Sequence, residues 1–390
     1  MRGAEYRPEA GLSMGNNCNR RETGRPALPS LPAYNTRMAN HPDVTVIGGG
    51  IIGLTAAYFL AKGGRRVEVL DRQDLGREAS WAGAGILPPG NPARAATPAD
   101  RLRAESVSRF AEFSAELRAV TGIDNGYVRC GGIEILGEAD ADVLGMWEEE
   151  GIVFRSLRER PLAERAEHNL LPDFAQVRNP WHLRALVAAC ERAGVALRPH
   201  TPFGPADLRP DRRYLLAAGA WAGEFLRPLG FDLPVTPVRG QIVLFRCERP
   251  PVPHIVMHGK RYLVPRPDGR VLVGSTEEPE AGFEKANTLE GVEGLKRFAF
   301  ALCPELRAAE VEKTWAGLRP GSPDGLPFIG PMPALPNVVA AVGHFRAGVQ
   351  LSIGTALMVR ELFGGPPAGI PHDAFRLDRT PEKVRPAFRS

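Results

Sequence analysis

The sequence predicts an α/β protein with an α+β insert, and three observations predict it. A β-branched run, Val44-Thr45-Val46-Ile47, leads straight into Gly48-Gly49-Gly50 and a helix-forming stretch over 54–61. A second strand–glycine–helix junction lies near the other end, where Val338 to Val342 enters Gly343 and a helix over 351–363. Between the two, the stretches 234–247, 254–266 and 270–275 read as antiparallel strands, the last two joined by an Asp268-Gly269 hairpin turn.

The first junction carries glycines in the G-x-G-x-x-G pattern at 48, 50 and 53. Gly48 allows a tight turn, Gly50 lets backbone N–H groups approach a pyrophosphate, and Gly53 lets helix and strand pack closely. The helix that follows stops at Lys62-Gly63-Gly64, a basic last turn with a glycine cap. The next strand, over 66–70, ends in Asp71. That is close to the roughly 20-residue offset expected of a ribose-binding carboxylate. The unit is therefore Rossmann-like and built for a nucleotide.

Composition narrows the partners. The chain has 390 residues, 43% hydrophobic and 24% charged, so a sizeable core is available. A net charge of +4 without a basic block argues against nucleic acid. The five cysteines, Cys18, Cys130, Cys190, Cys247 and Cys303, are dispersed with no CxxC. They suggest neither a disulfide framework nor a metal site and fit a reducing, cytoplasmic setting. No apolar run approaches the roughly 18 residues of a membrane span.

In chain order, residues 1–40 are rich in Arg, Pro, Asn and Gly and are expected to be a disordered extension, with the functional chain starting at Met38. Deleting 1–37 is expected to leave folding and activity intact. The stretch Gly76 to Pro89 is dominated by small residues, which let backbone approach a flat ligand. A long amphipathic helix is expected over 97–120, a strand with a glycine kink over 128–136, and a helix over 139–150. A helix over 180–194, a strand over 195–198 and a buried strand over 213–219 follow, the last running into a Gly-Ala-Trp-Ala-Gly turn. Thr314 to Gly330 reads as a turn-rich segment around Arg319. The tail, 379–390, has little to bury. The expected division is a discontinuous nucleotide domain of 41–98, 178–226 and 312–378, with 99–177 and 227–311 forming the substrate or cap domain.

Two glycine junctions at opposite ends of the chain suit a long cofactor such as FAD. The first would hold the pyrophosphate and adenosine. The helix start at the second would face the isoalloxazine, where negative charge appears on reduction.

At VTVIGGGIIG, ASWAGAGIL, KRYLVPRPDGRVLVGS, WAGLRPGSPDGLPFIG and GHFRAGVQL the chain resembles the D-amino-acid-oxidase-like flavoprotein family, in particular its glycine oxidase branch. The resemblance spans roughly residues 43 to 378. It implies an FAD-binding Rossmann-like domain with a mainly antiparallel substrate domain inserted, and non-covalent FAD. It places the ADP part at Gly48, Gly50, Ile51, Ile52, Gly53, Asp71 and Arg72. The flavin falls beside Ala79, Ser80, Ala84, Gly85 and Ile86, and a backbone contact near the adenine at about Phe203. The final turn, His344, Phe345, Arg346, Ala347, Gly348, Val349 and Gln350, would cradle the flavin O2 side. Arg319 would hold the substrate carboxylate with help from Tyr262, and Arg346 would lie beside substrate and flavin.

The chemistry suits those roles. A carboxylate is planar, and the guanidinium fork matches it. The implied reaction is oxidative deamination of glycine, sarcosine or a small D-amino acid. Hydride passes from the α-carbon to flavin N5, the imine hydrolyses, and O2 is reduced to hydrogen peroxide. The imine would supply the thiazole of thiamine. Two alternatives stay open: a D-amino-acid dehydrogenase passing electrons to a quinone or carrier, and a flavin-binding module with a degenerate site. Arg319 also admits a purely structural reading and Tyr262 a core one, while His344 reads as a backbone-contact position rather than a base. Self-association is not legible.

Three departures from the family stand out. The stretch 199–213 is short and Pro/Arg-rich, which bears on Phe203. Lys260 and Glu277 put charge at positions expected to line the pocket. No cysteine lies near GHFRAG for a covalent flavin link.

Overall fold

The structure, a computed structural model, describes residues 41–137, 140–157, 162, 166–333, 335–382 and 387–388. The extension expected over 1–40, the first residue of the helix expected over 139–150 and most of the tail beyond 382 lie outside the described residues. Among the described residues, no helix is long and apolar enough to cross a membrane.

Six strands form one sheet in the order Phe328–Met332, Leu335–Val342, Tyr214–Leu216, Val44–Ile47, Val67–Leu70 and Ala196–Arg198. All neighbours are parallel except the first pair. Its strands are mostly apolar because both faces are covered. Side chains alternate between the two cores. Val46, Leu215, Val339 and Ala341 pack against the helices Ile51–Lys62, Asn179–Arg192 and Gly348–Leu362. Ile47, Leu216, Ala340 and Val342 face the other way, towards Leu226 and Phe328. A Cβ at Gly53 would lie 2.0 Å from the Gly48 carbonyl oxygen, so only glycine lets the helix Ile51–Lys62 rest on the turn before it.

An eight-stranded sheet runs Glu310–Gly321, Thr236–Arg246, Arg270–Gly274, Arg261–Pro265, Ile255–His258, Gly132–Leu136, Glu167–Leu171 and Arg155–Ser156. It is antiparallel except where Ile255–His258 meets Gly132–Leu136. The helix Leu289–Leu302, not anticipated from sequence, covers one face through Leu295, Ala299 and Leu302.

Several expectations are corrected. The helix expected over 97–120 is two, Pro98–Val107 and Phe110–Thr121. At the break the Arg109 guanidinium turns back onto Glu105, donating to its carbonyl at 2.7 Å and its carboxylate at 2.6 Å. Both helices share the core of the parallel sheet, through Leu102, Phe110, Phe113 and Leu117. The segment 99–121, expected in the cap domain, therefore buries its apolar side chains in the core of the parallel sheet. The strand expected over 128–136 divides at Gly131, whose φ of +70° turns the chain from a small three-stranded sheet into the eight-stranded one.

The turn-rich reading of 314–330 holds at Ser322 to Gly325, but before it a strand continues to Gly321, with Pro320 opposite Pro237 and Gly321 opposite Thr236. Proline is tolerated because Glu310–Gly321 is the edge strand, where a missing N–H leaves no partner wanting. This also moves 312–321 out of the nucleotide sheet. Finally, the tail does bury apolar surface. Phe388 stacks on Trp147 at 5.6 Å, and the Trp147 indole N–H donates to the Ala387 carbonyl at 2.9 Å.

Candidate active site

The carboxyl ends of the parallel strands and one face of the eight-stranded sheet enclose a cavity of about 460 Å³. Crevices at strand carboxyl ends are where open α/β sheets take ligands. Every residue expected to contact cofactor or substrate lines this cavity except Gly53 and Ala347. Those two act one layer back. Gly53 seats the first helix on its turn, and Ala347 is the buried cap residue of the helix Gly348–Leu362.

The nucleotide side is largely backbone. The helix Ile51–Lys62 begins at Gly50 and the helix Gly348–Leu362 at Ala347, neither with a side-chain cap from its own cap residue. First-turn N–H groups have no intrahelical acceptor, so both ends offer donors and positive potential to the cavity. Ser80 Oγ takes one of these donors, the Ile51 N–H, at 2.9 Å. Asp71 accepts from the N–H of Gly49 at 2.8 Å and of Gln73 at 3.0 Å, and burial pushes its carboxyl up from the usual range. The Arg72 guanidinium lies over the Trp221 ring at 4.0 Å. Phe203 reaches the cavity wall despite the shortened segment around it, its ring against Tyr214 at 5.6 Å.

The substrate side is built from side chains on the sheet. Arg319 stands on the edge strand, on the face it shares with Gly317 and Trp315. Its guanidinium donates to Ser275 Oγ at 2.6 Å and to the Thr276 carbonyl at 3.1 Å. Diagonally across the ladder, opposite Gly317, is Gly240, where a Cβ would fall 2.1 Å from the guanidinium nitrogens. The missing side chain is the space the arginine occupies. Among the described residues no carboxylate lies within ion-pair distance of Arg319. Burial and the neighbouring Arg346 guanidinium push it down to about 10, so it stays cationic at neutral pH. Tyr262, buried on Arg261–Pro265, sits over Gly274, where a Cβ would meet its ring and hydroxyl at 2.6–2.7 Å.

Arg346 follows the Gly343 turn and is committed to protein partners. It pairs with Glu277 at 3.1 Å and donates to the Lys260 carbonyl at 2.5 Å. Lys260 and Glu277, expected in the lining, are instead an ion pair of 2.6 Å behind Arg346. His344 is buried, 3.0 Å from Thr355 Oγ1, and burial lowers it to about 3. It is neutral in any ordinary buffer. Trp81 and Trp315 pack edge to face at 5.7 Å, with the Trp315 indole N–H on the Ala82 carbonyl at 3.1 Å.

The model of the FAD-dependent oxidoreductase (DAO) family matches residues 43–362. The chain belongs to that family. It is 37% identical to the glycine oxidase of Pseudomonas putida over 355 residues, covering 83% of this chain and 94% of that protein. It is 32% identical to the bifunctional protein ThiO/ThiG of Nostoc, covering 82% of this chain and 52% of that one. The crystal structure of glycine oxidase from Geobacillus kaustophilus superposes with a TM-score of 0.80 at 31% identity, covering 87% of this chain and 99% of that one.

The cofactor of this oxidoreductase is FAD, and the residues present fit it. Two helix starts with no side-chain cap from their own cap residues suit anionic groups. A wall of Ala79, Ala82, Gly83, Ala84 and Gly85 leaves room for a flat ring.

Sequence reasoning missed several lining groups. Gly240 and Ser275 act on Arg319 across the sheet, and only strand register brings them there. Glu134 and Met257 join Tyr262 on one face through the pairings Glu134–Met257 and Met257–Tyr262. Arg266 was visible only as a hairpin residue. It is buried, donating to the carbonyls of Ala84 at 2.7 Å and Val177 at 3.1 Å, and so ties the inserted sheet to the small-residue loop. The Gly-Ala-Trp-Ala-Gly stretch was read only as a turn, and it brings Gly219, Ala220 and Trp221 to the cavity wall.

Proposed function

We propose that this oxidoreductase removes two electrons from the Cα–N bond of a small amino acid, with glycine, sarcosine and small D-amino acids as the substrate class. One observation carries the reading: a cationic Arg319 with only neutral protein partners, in the same cavity as the two helix starts that suit FAD. Its fork can take a carboxylate in two parallel charge-assisted hydrogen bonds. Ser275 and Thr276 hold the guanidinium in place, so little side-chain freedom is lost when the anion arrives. Tyr262 adds a neutral donor beside it. Bound FAD supplies the two-electron acceptor.

The protein contributes orientation and exclusion of water more than proton transfer. His344, whose proton affinity burial lowers and whose ring is engaged with Thr355, is not the base. The likeness to glycine oxidases and to ThiO/ThiG supports a small amine substrate, O2 as oxidant and a supply of imine to thiamine thiazole.

The test is anaerobic mixing of the yellow holoprotein with glycine, sarcosine and D-alanine. Bleaching with at least one, and recovery in air with peroxide, is the expected result. Bleaching that recovers only with a quinone would make it a dehydrogenase. No bleaching with any amine would leave a flavin-binding module.

A further inference from the structure

Between Arg319 and solvent runs a chain of charges that the proposed reaction does not use. Arg319 and Arg346 both donate to the hydroxyl of Ser275, at 2.6 and 3.4 Å. Arg346 reaches Glu277 Oε2 at 3.1 Å, and Glu277 Oε1 takes the Lys260 ammonium at 2.6 Å. Arg346 lines the cavity, with its side chain only 10% exposed. Glu277 does not line it, and Lys260 is 68% exposed. The substrate side of the cavity wall thus holds two guanidinium groups, Arg319 and Arg346, of which Arg346 is already neutralised from behind.

We propose that Glu277 is a specificity-determining positioning residue: by holding and neutralising Arg346, it leaves Arg319 as the single anion seat and restricts the site to monocarboxylates. The proposal rests on the amino-acid reading above. Two like charges near one another favour an anion between them, and a carboxylate bonded to one removes that attraction. With Glu277 uncharged, Arg346 would face the cavity as a second seat for a second carboxylate. Partial burial opposes ionisation of Glu277, but its bonds to Lys260 and Arg346 hold its carboxyl below the usual range, so the clamp persists through ordinary working pH.

The experiment compares anion binding by the holoprotein, read from the flavin absorbance spectrum without turnover. Acetate and malonate are titrated against wild type and Glu277→Gln. The malonate-to-acetate affinity ratio is expected to rise about tenfold or more in the variant, and to return to the wild-type ratio in Glu277→Gln/Arg346→Met. In turnover, D-aspartate should gain on D-alanine through KM, with kcat moving little. Glu277→Asp keeps the charge but draws it back, and should shift the ratio less in the same direction; it serves if Glu277→Gln does not retain FAD. An unchanged ratio, a gain that survives loss of Arg346, or a wild type that already prefers malonate would each overturn the proposal. Amine oxidation with an unshifted ratio sinks the Glu277 role alone. A shifted ratio without amine oxidation sinks the amino-acid reading alone.

Discussion

The two halves of the cavity are made of different material. The nucleotide half is backbone: two helix starts and a glycine turn, with Asp71 and Ser80 bonded to neighbouring N–H groups. The substrate half is side chains, Arg319, Tyr262 and Arg346, standing on or against one sheet. A backbone cradle fixes what any member of the family holds. Side chains on a sheet can be exchanged one at a time, so substrate choice can change while the cofactor stays. The two halves should therefore fail separately, and substitutions can test that.

The largest expected effect is on the substrate half. Arg319→Ala should lower kcat/KM for the best amine by about 100- to 1000-fold, the cost of removing one partner of a buried charge-assisted pair. FAD content, read from visible absorbance after gel filtration, should match wild type. Loss of FAD in this variant would show that the halves are not separable.

A pair of glycine substitutions sharpens the contrast. In Gly53→Ala the new Cβ would lie 2.0 Å from the Gly48 carbonyl oxygen, a backbone atom that cannot swing away. Overpacking of this kind costs about 1–3 kcal/mol, and here it displaces the helix start, so the protein should purify depleted in FAD. In Gly240→Ala the Cβ would meet the Arg319 guanidinium at 2.1 Å. That is the far end of a flexible side chain, which can shift. FAD should stay bound, while KM for the amine rises by about tenfold or more, roughly 1.4 kcal/mol of lost carboxylate binding. Equal FAD loss in both would collapse the distinction.

The same contrast explains what could be read from the sequence. The nucleotide half is contiguous: strand, glycine turn and helix lie within one short stretch, and the spacing of Gly48, Gly50, Gly53 and Asp71 is the geometry itself. The strands over 44–47 and 66–70, with the helix between them, were legible for the same reason. The substrate half depends on register between distant strands. Gly240 clears space for Arg319 and Ser275 anchors it only because Thr236–Arg246 lies between Glu310–Gly321 and Arg270–Gly274. No local pattern encodes that order, so Arg319 and Tyr262 were named through resemblance and their supports were not found. The edge strand missed within 314–321 has a similar origin. Proline and glycine mark turns locally, and an edge strand is recognised only once the whole sheet is laid out. The tail failed because Phe388 finds its partner, Trp147, far away in sequence.

The smallest expected effect is a titration. Arg319 must be protonated to hold a carboxylate, and burial with Arg346 nearby has lowered it to about 10. Acetate is the useful probe because its own charge is constant across that range, unlike the amine of an amino acid. Its Kd for the holoprotein, followed by the flavin spectrum, should be flat from about pH 7 to 9. Above the Arg319 value it should climb by about tenfold per pH unit, because one proton must be present for binding. The sign follows from the cation: raising the pH removes the charge that binds the anion, and lowering it changes nothing further. In Arg319→Ala the same titration should be weak and flat. A flat curve in wild type to pH 11 would mean that Arg319 keeps an ordinary guanidinium value and is better solvated than its partners suggest. A rise that survives in Arg319→Ala would assign the titration to another group and remove Arg319 from the anion seat.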